Sequence, residues 1–211
     1  LAAGAANDIT LNNSNNFSTV AVTSGKDVTL NDTNGIILGA STVSGALDVT
    51  ANGNITQSGV LSVTGGASTF TVDTGLTKDI LLGTQANDFA GQTVTFATSG
   101  GGSIQDISFR NTNAAAIAPT MPGTLRNLTL QFDAAPIALA AQTLTGALHV
   151  TASGITDSGA LTVTGDTTLT AGAGNDIVLD NANNFSKVSV VSGKDVTLND
   201  TDAIDLGAST V

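Results

Sequence analysis

Apolar and polar residues alternate in short runs along this chain. DITL, DVTL, LDV, LSV, TVTF, LTL and LHV recur, each only three or four residues long and each bounded by Gly, Asn, Asp and Ser clusters such as SGKD, NDTN, ANGN and GAGND. Alternation at period two predicts strands with one buried face, and the clusters between them predict turns. No apolar spacing of helical period extends beyond two turns.

The runs are evenly placed. Ile9, Val28 and Leu47 lie 19 residues apart, and so do Leu11, Leu30 and Val49, Ile36 and Ile55, Ile177 and Val196, and Leu179 and Leu198. A chain that returns to a similar strand at a fixed interval has an economical solution in a coil whose turns stack in register, about 4.8 Å apart. At this step the chain would make about 11 such coils. The expected fold is all-β, a parallel β-helix (β-solenoid) of roughly 19–20 residues per coil, with Ile, Val and Leu in continuous columns. A fully buried side chain of this kind contributes about 1.5–3 kcal/mol.

A longer repeat overlies the short one. Residues 1–43 and 169–211 align without a gap and are identical at about three positions in four. Residues 44–65 and 145–165 form a second pair, with one deletion. Joined, they define a unit of roughly 70 residues, within the range of compound repeats. In register, Asn12 is expected over Asn31, Asn13 over Asp32, Asp180 over Asn199 and Asn181 over Asp200, giving polar ladders between coils. Asp8 over Asp27 and Asp176 over Asp195 would place like charges together, with Lys26 and Lys194 at hand to relieve them.

Composition sharpens this picture. Seven Phe and no Tyr or Trp imply a narrow core of small and aliphatic side chains. Seventeen acidic residues, all Asp, against six basic ones give a net charge of -11, which argues against nucleic acid and anionic membrane as partners. Without cysteine there is no disulfide, thiolate metal site or cysteine nucleophile. No apolar run is long enough to span a membrane and no signal peptide is visible at Leu1.

The segments GAGNDIVLDNANNF, SGKDVTLNDT, DLGASTV and SGALTVTG resemble the β-strand repeats of filamentous-haemagglutinin-type exoproteins, the large adhesins of two-partner secretion systems. The resemblance covers most of the chain and is weakest over residues 90–137. It implies a right-handed parallel β-helix with three faces, export through a dedicated outer-membrane transporter, and a place at the bacterial cell surface or in the extracellular medium. The expected role is structural: a rigid spacer or stalk segment of a surface fibre, one solenoid fragment of a longer repeat protein. Neighbouring repeats or end-to-end copies of the chain would cover its ends.

Residues 90–137 break the rhythm. They hold all three prolines (Pro119, Pro122, Pro136), Met121, Arg110, Arg126 and the glycines at 100–102. A loop at 100–123, standing off the stack, is the candidate interaction element, with Arg110, Met121 and Arg126 as its contact residues toward a host glycan or protein. A diverged coil with a longer turn is the plainer alternative.

A polysaccharide-acting β-helix is a further alternative, but catalysis finds little footing. There is no Glu, the Asp pairs recur as ladder positions, and the single histidine, His149 in ALHV, stands where the related segment has Asp48 in ALDV. No catalytic residue is assigned, and the chain is expected not to be an enzyme. No cofactor is assigned; the weak candidates for calcium are Asp8, Asp27, Asp176 and Asp195, beside turns that faintly resemble calcium-binding repeats. Outward threonines in VTL, LTV and TFTV admit an ice-binding face as a third alternative, which Asp48, Asp73 and His149 interrupt.

Overall fold

The computed structural model describes residues 1–73, 75 and 77–211. The described residues form strands, turns and bends without helix, and the parallel strands wind through about ten turns of a β-solenoid. Two compact units divide the chain, Leu1–Pro122 and Gly123–Val211.

In the first unit, five parallel strands stack on one face: Ile9–Asn15, Val28–Asp32, Leu47–Ala51, Ser68–Val72 and Val94–Thr98. A second face stacks Thr19–Val20, Ile36–Leu38, Ile55–Gln57, Thr77–Leu82 and Ser103–Asn111. The third is shorter, with Ser41–Val43 on Leu61–Val63 and single bridges such as Gly25 to Val43 and Ser62 to Asp88. The 19-residue step holds where it was read. Ile9 pairs with Val28 and Val28 with Leu47, Leu11 with Leu30 and Leu30 with Val49, and Ile36 with Ile55. All of these side chains except the half-buried Leu11 are buried in columns because alternation turns every second residue of each strand inward.

The step then lengthens. Hydrogen bonds between successive coils join residues 19 apart at Asp27 and Asp8, but 25 apart at Asp79 and Asn54, 26 at Ser99 and Asp73, and 27 at Asp106 and Asp79. A longer coil encloses a wider interior, and here the chain uses its aromatic rings. Phe70, Phe89, Phe96 and Phe109 are all buried, with ring centroids 5.3–6.2 Å apart. Phe70 and Phe96 are also ladder partners. The narrow aliphatic core inferred from the low aromatic content therefore describes the 19-residue coils of the first unit, while its wide coils are filled by Phe; the second unit buries Phe132 and Phe185 as well.

The irregular stretch expected at 90–137 contains regular elements. Val94–Thr98 and Ser103–Asn111 are ladder strands of the first unit. Thr120 forms a bridge with Thr95, accepting the Phe96 N–H at 2.8 Å and donating to the Val94 carbonyl at 2.9 Å. Pro119, which has no N–H to give, is buried immediately before that bridge.

The second unit repeats the plan with longer strands that turn corners. Asn127–Phe132 pairs with Leu148–Thr151, which pairs with the end of Leu161–Thr170, which pairs in turn with the later part of Ile177–Ser192. Ile137–Leu139, Ile155–Asp157, the start of Ile177–Ser192 and Val196–Asp200 make a second stack. Thr124–Leu125, Gln142–Leu144 and the start of Leu161–Thr170 make a third.

One sequence motif is used differently in the two units. Leu47 and Val49 of GALDV continue the column begun by Ile9 and Leu11. Their counterparts Leu148 and Val150 of GALHV join Thr167 and Leu169, and through them Val188 and Val190. The column of Ile177, the counterpart of Ile9, is shared instead by Ile155. Every face asks for the same inward alternation, so one motif serves on more than one.

Candidate functional site

The acidic pairs marked as calcium candidates are brought together, each with a lysine. Lys26 Nζ lies 2.9 Å from Asp27 and 3.8 Å from Asp8, and Lys194 Nζ lies 3.1 Å from Asp195 and 3.9 Å from Asp176. The Asp27 carboxylate also accepts the Ala46 N–H from the next coil at 2.9 Å. That bond, and then Lys26, hold Asp27 below the ordinary aspartate range, while hydrogen bonds and charge from Asp27 and Asp195 raise Lys26 and Lys194 respectively. A lysine ammonium thus sits beside the oxygens that a cation would need. Among the described residues no three metal-ligating side chains converge.

His149 is an exposed outward residue in a ladder of Thr129, His149 and Thr168. Asp48 is placed the same way, between Thr29 and Thr69. The outward column through Thr10, Thr29, Asp48, Thr69, Thr95 and Thr120 is therefore mostly threonine, broken once by a charge.

The interaction-loop candidates scatter. Arg110 belongs to the strand Ser103–Asn111, Met121 is half-buried just after the Thr120 bridge, and Arg126 is exposed between Thr124–Leu125 and Asn127–Phe132. The part of 100–123 that stands off the ladder is therefore shorter than expected; within it Ile117 is an exposed apolar side chain.

The polar ladders differ from the expected register. Asn31 does donate toward Asn12 and Asn199 toward Asp180, but to the backbone carbonyls, at 3.3 and 3.2 Å. Asp32 is paired with Asn15, not Asn13, and Asp200 with Asn183, not Asn181. The cause is a bulge after Leu11 and after Leu179, which inserts unpaired residues into one strand. In the first copy Asn15 fastens it by donating to the carbonyls of Leu11 and Asn13.

The most developed polar arrangement was not anticipated from the sequence. Asn87 and Asn183 are completely buried. Asn183 Oδ1 accepts the Leu161 N–H at 2.8 Å while its Nδ2 donates to Asp157 at 2.8 Å. Asn87 repeats this: its Oδ1 accepts the Leu61 N–H at 2.9 Å, and its Nδ2 donates to Gln57 and to the Leu82 carbonyl. Gln57 and Asp157 occupy the same place in ITQSG and ITDSG. Two residues after each asparagine a phenylalanine enters the core, and its N–H is accepted by the next coil: Phe89 by Asn111 and Phe185 by Asp200, as Phe17 is by Asp32. The signal was present in the sequence as ANDF, ANNF and SNNF. Burial of a polar residue at a corner follows from this because each amide is satisfied on both sides.

Stacked parallel coils, aliphatic columns and recurring amide corners define a β-solenoid repeat protein. The chain belongs to a family of repeats of unknown function (DUF5649), whose model matches residues 25–96 and 125–192, one stretch in each unit. No curated protein and no solved structure matches the chain. No helix among the described residues is long and apolar enough to cross a membrane.

Proposed function

We propose that this chain is a rigid spacer, a stalk segment of a large secreted bacterial surface fibre or adhesin, without catalytic activity of its own. The observation that carries the reading is coil-to-coil fastening: buried aliphatic columns run from coil to coil within each unit, and a buried corner asparagine, Asn87 in the first and Asn183 in the second, ties one coil to the coil before it. Such a structure resists bending because displacement of one coil strains both the columns and the hydrogen bonds beside them. The acidic pairs carry lysine and the lone histidine stands in a threonine ladder, which fits a scaffold. The resemblance to two-partner secretion adhesins supports the extracellular, cell-surface location and an outer-membrane transporter as the export partner.

A spacer depends on length and stiffness, so an unrelated solenoid of equal coil number should replace it. In the full-length protein on its native cell, exchanging residues 1–211 for such a solenoid is expected to preserve surface adhesion. Loss of adhesion with normal surface display would overturn the spacer reading and support a direct adhesive module that contacts a host glycan or protein. Exposed Ile117 favours that second reading. Its test is Ile117→Asp, since deletion of residues 105–122 would remove a core strand.

A further inference from the structure

We propose that Asn34 is a spontaneous deamidation site, selected over the chain's other Asn-Gly pair because Asn34 and Gly35 sit on an exposed bend while Gly53 is buried against backbone. The two pairs, Asn34-Gly35 and Asn52-Gly53, are identical dipeptides. The reaction needs the amide nitrogen of the following residue to reach the side-chain carbon, and glycine offers no Cβ to obstruct it.

The fold treats the two pairs differently. Asn34 and Gly35 are both exposed and lie outside the strands. The bend is tied on its early side, where Thr33 donates to the Asn15 carbonyl at 2.8 Å and the Asn34 N–H reaches Asp32 Oδ1 at 3.2 Å. The ladder resumes at Ile36, whose N–H is accepted by Asn54. Gly53 is buried, and a Cβ there would strike the backbone of Gly35 and Asn34. Asn52 is exposed like Asn34, so the difference lies at the glycine: Gly35 is open to the water and base that the reaction needs, and Gly53 is shielded from both.

In the reaction, Gly35 N attacks Asn34 Cγ and loses its proton, the Cγ–Nδ2 bond breaks, and ammonia leaves with that proton. Water then opens the cyclic imide at either carbonyl, giving aspartate or isoaspartate and one new negative charge. The aspartate product suits the fold, because the matching copy already carries it: Asp202 stands at the place of Asn34, and Asn184 donates to its carboxylate at 3.3 Å. In the first copy Asn34 donates to Asn16 Oδ1 at 2.9 Å, so the Asn16 amide need only turn over to donate instead. The isoaspartate product adds a backbone methylene two residues before buried Ile36 and is the disruptive one.

The test is prolonged incubation of the folded chain in warm, mildly alkaline buffer, followed by peptide mapping that separates aspartate from isoaspartate. Asn34 is expected to deamidate several-fold faster than Asn52 in the folded chain and at a similar rate in urea. Gly35→Ala should bring Asn34 down to the level of asparagines not followed by glycine. That variant should keep its fold, since Ala203 fills the matching place. Equal rates at Asn34 and Asn52 in the folded chain, the same ratio in urea, or no effect of Gly35→Ala would each overturn the proposal.

Discussion

Asn183 and Leu161 lie 22 residues apart, and the asparagine side-chain oxygen accepts the leucine backbone N–H at 2.8 Å in the interior of the second unit. Asn87 and Leu61 repeat the bond in the first unit at 2.9 Å. A turn of the solenoid that cannot find a ladder partner is completed by a side chain from the following coil. The same asparagine holds the side chain at position 157 or 57, so one residue fastens a backbone and a side chain at once.

Asn183→Leu should leave the Leu161 N–H without its acceptor. The cost of an orphaned buried polar group is about 1–3 kcal/mol. Amide hydrogen exchange should show the loss locally, with Leu161 exchanging faster; Asn87→Leu should do the same to Leu61. Unchanged protection at both amides would refute the role given to these corners.

Thr167 Oγ1 is buried without a hydrogen-bond partner, between Leu148 and Val188 in the ladder. Thr167→Val keeps the shape and removes the polar atom, so it should raise stability by about 1 kcal/mol. Chemical denaturation followed in the second unit checks this; a fall in stability would contradict it.

Two glycines allow one coil to touch the next. A Cβ on Gly146 would collide with Asn127 Oδ1, which accepts the Ala147 N–H at 2.8 Å, and a Cβ on Gly45 would collide with Asp27 Oδ1 in the same way. Gly146→Ala should destabilise by about 1–3 kcal/mol, as overpacking does, and Gly45→Ala should act in the same direction. Gly174→Ala, where an added Cβ meets nothing within 4 Å, is the control and should be nearly neutral by denaturation.

The phenylalanine cluster of the wide coils is sensitive to truncation. Phe109 contacts Phe89 and Phe96 at centroid separations of 5.3 and 5.6 Å and is fully buried. Phe109→Ala should cost about 3–5 kcal/mol. Faster hydrogen exchange in residues 77–82 and 103–111 would report it.

Asp27 gives a pH signature. Its pKa is lowered by the Ala46 N–H first and by Lys26 second, so its contribution to stability is present above the ordinary aspartate value, about 4, and is lost as pH falls through the lowered pKa. Carboxyl NMR should find Asp27 titrating below that value. Lys26→Met should raise the midpoint only partway, because the Ala46 bond remains.

Much of the fold was legible in short runs of sequence. The pairs Ile9 and Val28, Val28 and Leu47, Ile36 and Ile55, and Ile177 and Val196 could be named because alternation marks the inward residues and the constant interval marks the return. The corner asparagines were visible only as polar residues among many. What sets Asn87 apart from exposed Asn34 is the N–H of Leu61 waiting in the preceding coil, which no local pattern contains.

The sequence by itself determined that this chain is all strand and turn, that its strands are half-buried, and that they recur at a coil-length interval. These are properties of neighbouring residues, and backbone geometry makes them local. Tertiary structure alone decided the bulges that shift Asn15 onto Asp32, the wider coils around Phe70 and Phe109, and the different columns given to Leu47 and Leu148. All faces accept the same alternation of apolar and polar side chains, so which column a strand joins is settled by the coils above and below it.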